Sequence, residues 1–531
     1  MLRLLEARDQ RDATRFGLVW EANEIERDKA LNNDFVTLDL VREQCVGATP
    51  WRNLIIEGDN YDALRYLRMT FAGQVKCIFI DPPYNTGNRD FIYNDHFVNS
   101  EDSWRHSTWC EFIYQRLVLA KELLREDGVI FVSIDDNEIF PMGLLMRRVF
   151  GENNFIANFI WQHSVQPKGY GGKVSVHHNY ILAFSRSAAF VLKDNPRKEE
   201  HNVSYANPDN DPKGLWRSGD VRNALYRPNL IYDLATPSGK IIKPPPKGWR
   251  WSKDTMAEKI RTGEVVFRAD ETKILRKIYL DNQGGRPVES LWFGDDVGTT
   301  REASQELKNI FEGESPFGTP KPTRLIKRII QICCDPSDLV LDFFGGSGTT
   351  AQAVLEQNKE DGGNRRFILV SNSEATAEEP EKNICRDICA ERVRRVIQGY
   401  GANKAEKIAG LGGDFAYLRT HRIQSGRLLE IEHAQVWIAL QLAHFDSFTE
   451  YTDAPFLWAG DEESAICYVP RFRGDMAAAL RRKVKEAASV AFYSWQPQTL
   501  KQHVRDSHVT HLSVSDTLTR RFDLNLTLSP A

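Results

Sequence analysis

From Trp51 onward the chain alternates short apolar runs with stretches of helical period. "NLIIEGDNYDALRYL" reads as a short strand, an acidic turn at Asp59 and a helix carrying Leu64 and Leu67 on one face. "KCIFI" reads as the next strand, stopped by "DPPY". "WCEFIYQRLVLAKELLREDG" has the helical period and a stop at Gly128, and the strand "VIFVSI" follows, ending on Asp135 and Asp136. A helix from about Phe140 and the strand "NYILAFSR" close this block. Further on, "KPTRLIKRIIQICCD" is helical, and "DLVLDFFGGSGTTAQAVLEQN" gives strand, glycine turn and a helix beginning near Thr349. "RRFILVSNSE" adds a strand and "ICRDICAERVRRVIQGYG" a helix. Strand–helix alternation with acids at strand ends predicts an α/β fold, a doubly wound and mostly parallel sheet that works at its carboxyl edge.

The pattern divides the chain. Residues 1–50 are polar and helical in character, 51–185 carry the first α/β half, and 301–400 carry the second. Between them, 186–300 is rich in Pro, Gly, Trp and Lys/Arg, as in "TPSGKIIKPPPKGWRWSKD", and reads as an irregular insertion. Aromatic residues interleaved with basic ones suit nucleic acid, although ordinary surface loops share that texture. Residues 401–531 are long enough for a small domain and hold no catalytic constellation. There is no internal repeat.

Composition narrows the class. Of 531 residues 41% are hydrophobic and 27% charged, which is ordinary for a globular protein. No apolar run approaches the roughly 18 residues of a membrane span, and the charged start lacks a secretory leader's apolar core. A net charge of −4 argues against a general cationic coat and leaves room for a local basic groove. The eight cysteines include no CxxC pair, so reduced, buried thiols are expected and a zinc site is not.

Two motifs carry chemistry. "DPPYNTG" puts an acid, two prolines and a tyrosine at the end of a buried strand. In "FFGGSGTT", Gly345, Gly346 and Gly348 allow a tight turn and close approach of a ligand, while Ser347 or Thr349 can cap the helix. The turn is neither GxGxxG nor GxxxxGK[ST], so dinucleotide and P-loop readings lose ground. His106 and His178 lack partner spacing and read as ordinary polar histidines; Asp135 and Asp136 suit a cap or a ligand contact.

Taken together, "NLIIEGDNYDAL", "DPPYNTG", "LLREDGVIFVSIDDNE", "GENNFIANFIWQ", "HNYILAFSR", "GTPKPTRLIKRI" and "FFGGSGTT" resemble, in family order, the β-group of amino-methylating DNA methyltransferases. The resemblance is strongest to the modification subunits of type III restriction systems. It covers most of residues 51–400 and implies a circularly permuted Rossmann-like methyltransferase fold. The region 186–300 would then be the target-recognition region.

The resemblance also implies S-adenosylmethionine as methyl donor, no metal, and double-stranded DNA as substrate. In this pattern Asp81, Pro82, Pro83 and Tyr84 are catalytic. Asp81 and the Pro82 carbonyl would accept the hydrogens of an exocyclic amine whose lone pair is otherwise delocalised, and Tyr84 would stack a flipped base. Asp342, Phe344, Gly345, Gly346 and Gly348 match the motif around the donor's methionine part, joined by Thr319, Lys321 and Pro322. Asp59 matches an acid near the donor's adenosine. Many relatives carry an acid directly after the strand here written "RFILV"; this chain has Ser371, and Glu374 stands three residues on.

The expected function is therefore adenine N6-methylation in a restriction-modification or related anti-phage system, on DNA in the cytoplasm. A homodimer and a helicase–nuclease or other defence-system subunit are the partners the family implies. N4-cytosine methylation, RNA as substrate and an idle DNA-binding subunit are the rivals. A dinucleotide oxidoreductase would need a cofactor motif this chain lacks.

Overall fold

The computed structural model describes residues 34–86, 92–93, 96–97, 105–167, 174–195, 197, 199–375, 379–401, 407–424 and 427–523. Ten strands form one mixed sheet: β1 (Phe35–Leu40), β2 (Leu54–Glu57), β3 (Val75–Ile80), β4 (Leu124–Ile134), β5 (Phe155–Gln162), β6 (His178–Ser185), β7 (Leu291–Trp292), β8 (Leu339–Asp342), β9 (Arg366–Ser371) and β10 (Ala416–Ile423). Their order across the sheet is β1-β10-β2-β9-β8-β3-β4-β6-β5-β7. The run β10-β2-β9-β8-β3-β4 is parallel throughout, and antiparallel pairs flank it on both sides.

The helices used below are α1 (Asn60–Phe71), α2 (Arg105–Leu123), α3 (Ile139–Phe150), α4 (Thr300–Ile310), α5 (Thr323–Cys333), α6 (Thr349–Asp361), α7 (Glu391–Gln398) and α8 (His433–His444). Central strands are buried on both faces, hence their near-continuous apolar runs. Leu339, Leu341, Ile78, Ile80, Ile130 and Val132 point to the side covered by α1, α2, α3 and α8. Alternate residues such as Cys77 and Val340 turn to the other side, where α5 and α6 lie.

Three expectations change. Residues 1–50 were read as helical; 1–33 lie outside the described residues, and Phe35–Leu40 is a strand, paired antiparallel with β10. Its alternation of Val36 and Leu38 with polar partners is a strand period that a short window hides. The helix expected to run to Gly128 stops at Leu123, because Leu124 already pairs with Val75 and a bulge precedes the regular β3–β4 register. The chain after 401 does not leave as a separate domain. Ala416, Tyr417 and Leu418 are fully buried between β1 and β2, so β10 completes the main sheet, and 289–531 belong to the same compact unit as the first half. Beyond α8 this unit adds a four-stranded sheet of residues 457–460, 464–469, 489–494 and 509–513.

A second compact unit, Leu192–Val288, falls where the insertion was expected. Its three-stranded antiparallel sheet is built from Trp216–Gly219, Val265–Phe267 and Ile274–Tyr279. The small core gathers Trp249, Met256, Val265 and Ile274.

One polar group is set deep in the main unit. Arg392, near the start of α7, is fully buried. Its guanidinium donates to Gln352 Oε1 (2.9 Å), Thr349 Oγ1 (2.7 Å), Ser347 Oγ (3.2 Å) and Thr323 Oγ1 (3.3 Å), and lies 3.7 Å from Glu306 Oε2. One cation thus ties the "SGTT" turn to α4, α5 and α6, and only a planar fork of five donors can reach so many acceptors. Arg392→Met is expected to destabilise the protein by on the order of 3–5 kcal/mol, since it strips the partners of a buried charge. Urea denaturation would measure it, and Arg392→Lys should recover little.

Candidate active site

β3 and β8 lie side by side, parallel, with Cys77 beside Val340 and Ile78 beside Leu341. β3 ends at Ile80 and β8 at Asp342, so Asp81 and Phe343 leave the sheet at the same edge. The two sequence motifs therefore meet.

The "DPPYN" turn is pinned at successive residues. Asp81 Oδ2 pairs with Lys321 Nζ, while Asp81 Oδ1 is buried without a hydrogen-bond partner. Pro82 is buried, and the Pro83 carbonyl accepts from Trp109 Nε1 at 2.7 Å. The Tyr84 hydroxyl meets Ser133 Oγ on β4 at 2.8 Å, and burial with the nearby Asp81 charge pushes its phenol well above the usual range. Asn85 adopts φ +55°, a left-handed conformation that Asn tolerates, and its side-chain amide donates to Glu138 Oε1 at 2.5 Å. His106 Nδ1 meets the same oxygen at 2.5 Å, so this histidine supports the turn from its far end. Prolines that fix φ, together with these anchors, make a stiff loop.

The glycine turn is equally committed. Gly346 (φ +47°) and Gly348 (φ +78°) are left-handed, and a Cβ on Gly348 would stand 2.9 Å from the Cys389 carbonyl. Gly345 packs its bare backbone on Val370, with its N–H donating to that carbonyl at 2.9 Å. Gly348 itself is the N-cap of α6. Neither Ser347 nor Thr349 caps, as was expected; both hydroxyls serve Arg392 instead. Thr349 Oγ1 also donates to the Lys321 carbonyl at 3.3 Å, and a Cβ on Gly346 would come within 3.3 Å of the Phe317 ring. The loop bearing Thr319, Lys321 and Pro322 thus runs along the turn, with Thr319 exposed and Pro322 buried at the start of α5.

Asp342 sits beneath both motifs. Its carboxylate accepts from Thr350 Oγ1 (2.6 Å) and the Phe344 N–H (3.0 Å), yet burial holds the carboxyl up at about 7, and the charge of Asp81 adds to the rise. Asp59 caps α1 by accepting from the N–H groups of Tyr61 and Asp62 and lies 3.3 Å from Arg116. Beside it, Asn60 Nδ2 donates to the Phe343 carbonyl at 3.0 Å, and Phe344 lies 6.1 Å from the Phe112 ring. A strip from Asp59 to Phe344 therefore borders the edge. Glu374 stands off: with φ +52° it pairs with Lys382 at 3.3 Å, half exposed, beyond the buried Ser371 that ends β9.

The remaining candidates have local partners. Asp135 accepts from Asn137, and Asp136 accepts from the Tyr180 hydroxyl, which His178 also meets at 3.0 Å. Neither acid caps α3. Cys77, Cys333 and Cys334 bring three thiols within 4.8 Å of one another, all buried. Burial pushes the Cys333 thiol well above its usual range. A cleft of about 890 Å³, lined by His433, Tyr451, Arg471 and Trp495 among others, carries no part of either motif. Sequence reasoning did not find Trp109, Ser133, Glu138 or Arg392; none has a diagnostic spacing, and only the folded turn reveals what each one holds.

Comparison with known proteins agrees with this geometry. Residues 75–394 match the DNA methylase family of N6/N4 methyltransferases. The type III restriction-modification enzyme StyLTI Mod subunit of Salmonella typhimurium is 34% identical over 391 residues, 68% of this chain and 59% of that one. The EcoP15I Mod subunit of Escherichia coli is 29% identical over 411 residues, 65% and 63% of the two chains. The type II methyltransferase M.KpnI of Klebsiella pneumoniae is 34% identical over 337 residues, covering 60% of this chain and 79% of that one. The chain spans about three fifths of the length of those Mod subunits. With the family model spanning more than half of its residues, the chain belongs to the N6/N4 DNA methylase family and is related to type III Mod subunits.

Proposed function

We propose that this chain methylates the N6 amine of adenine in double-stranded DNA, using S-adenosylmethionine, as the modification subunit of a restriction-modification or related anti-phage system. The observation that carries the reading is the meeting of the Asp81–Tyr84 turn and the glycine turn at one sheet edge, in a member of the DNA methylase family. The residues fit the donor. Left-handed Gly346 and Gly348 make a turn that a Cβ would crowd against Phe317 or Cys389, and the buried acid Asp342 ends the strand that feeds it.

Bound there, the donor supplies a methyl carbon activated by a cationic sulfur. Asp342, Phe344, Gly345, Gly346 and Gly348 would hold its methionine part, with Thr319 and Pro322 along the neighbouring loop. Asp59 suits its adenosine, and Glu374 would reach its ribose hydroxyls only by leaving Lys382. Asp81 accepts one hydrogen of the target amine. The Pro82 carbonyl, which the family pattern gives as the second acceptor, would take the other, while the Pro83 carbonyl is engaged by Trp109. With both hydrogens held, the nitrogen gains sp³ character as it attacks, and the rest of the rate comes from placement. Tyr84, braced by Ser133, offers its ring to an extruded base.

The unit 192–288 suits target recognition. Its Leu225 and Tyr226 are exposed, flanked by exposed Arg227, Lys247 and Arg250, and Lys247 Nζ donates to the Ala224 carbonyl. Relatives that are Mod subunits of type III restriction-modification enzymes support association with the other chains of such an enzyme.

Long-read sequencing of host DNA with and without the chain is expected to report N6-methyladenine in one sequence context; N4-methylcytosine would redirect the reading within the family, and no modified base would end it. Asp81→Ala should lower methyl transfer by at least about 10²–10³-fold, the usual loss when a group acting in the transition state is removed, while calorimetry finds donor binding retained. Donor affinity should also depend on pH. Below about 7 the Asp342 carboxyl is mostly protonated, and a cationic donor favours the ionised form. Affinity should then rise with pH, by up to about tenfold per unit, and level off above that point, with Asp342→Asn flattening the curve. A wild-type affinity constant from pH 5.5 to 8.5 would rule this out.

A further inference from the structure

Resemblance assigns Lys321 to the donor pocket, but its side chain goes elsewhere. The backbone belongs with the glycine turn, since the Lys321 carbonyl accepts from Thr349 Oγ1. The ammonium crosses to the other motif, pairing with Asp81 Oδ2 and lying 5.1 Å from the centroid of the Tyr84 ring. These are the two groups that the methyl-transfer reading gives to the target base. The pair is largely withdrawn from water, the lysine side chain being 10% exposed and that of Asp81 24%.

The geometry distinguishes the two oxygens of Asp81. Oδ2 is held by Lys321, whereas Oδ1 is buried and unpartnered. A carboxylate gripped at one oxygen has lost its freedom to rotate before the amine arrives. An ammonium is a donor only, with no lone pair to offer, so it fixes the acid without competing for the role of acceptor. A second carboxylate, Asp342, lies close enough for the charge of Asp81 to act on it, and the charge of Lys321 opposes that repulsion.

We propose that Lys321 is a positioning residue for the target amine: it holds Asp81 by Oδ2 and so fixes the orientation of the acid before the base arrives. It serves the base side of the reaction, not the methyl donor. This inference rests on the methyl-transfer reading.

The test compares wild type, Lys321→Met and Lys321→Arg. Calorimetry measures donor binding, and single-turnover transfer of tritiated methyl to unmethylated genomic DNA measures the reaction with both substrates saturating. Lys321→Met should keep the donor dissociation constant within about twofold while its single-turnover rate falls about 10²-fold, the scale of losing one preorganised group. Lys321→Arg, which restores a cation over the same acid, should recover most of the rate, and its donor binding reports an intact pocket. Donor affinity weakened about tenfold or more in Lys321→Met would make the lysine a donor ligand and overturn the inference. So would an unchanged or faster rate, which would mark the ammonium as a mere place-holder in the base's seat. A wild-type protein that binds donor yet methylates no DNA would overturn the methyl-transfer reading itself, and this one with it.

Discussion

The hydrogen-bonded register of β3 against β8 is the constraint from which the site follows. Parallel neighbours in a sheet end at the same edge, so whatever leaves one strand is delivered beside whatever leaves the other. Here those deliveries are an acid–proline–tyrosine turn and a glycine turn that lie far apart in the chain. The order in which the chain visits the two strands does not matter to the edge. Asp81 is close enough for its charge to weigh on Asp342, and Lys321, anchored on one motif and paired with the other, offsets that effect.

Such proximity has to be held against its own repulsion. Turns that are merely flexible would move apart, yet both are stiff for different reasons. The "DPPYN" turn is braced from α2 by Trp109 and His106, from β4 by Ser133 and from the start of α3 by Glu138, on top of two fixed proline dihedrals. The glycine turn is rigidified from outside by Arg392, through the hydroxyls of Ser347 and Thr349. An apolar residue there could fill the space but could not bind Ser347, Thr349, Thr323 and Gln352 at once. The buried cation is therefore better understood as specifying one arrangement of four segments than as a gain in stability for its own sake.

What the sequence disclosed, and what it withheld, divides along the same line. The strands "KCIFI", "LVLD" and "RFILV" were legible because a doubly buried strand is a continuous apolar run between turn signals. The two motifs were legible because prolines and glycines at strand ends have few other uses. Contacts set by tertiary geometry were not legible. Ser347 and Thr349 have the composition of helix caps, and local chemistry alone favours that role; a buried guanidinium arriving from α7 claims both. Lys321 follows the family pattern in sequence while its long side chain reaches across to Asp81, and no spacing encodes where a flexible stem ends. The strands β1 and β10 were missed because their pairing joins residues nearly four hundred positions apart.

The placing of the inserted unit follows from the same sheet. Its chain departs after β6 and returns before β7, and in the sheet these two strands flank β5 at the end away from β1. The site's own strands, β8 and β3, are inner strands of the parallel run. A segment inserted between β6 and β7 can therefore change in length and content without shifting the β3–β8 register on which Asp81 and the glycine turn depend. Chemistry that must stay fixed is housed in the middle of the sheet. The inserted unit is attached where variation disturbs only peripheral pairings, the parallel contact of Leu291 with Ile160 and of Trp292 with Trp161.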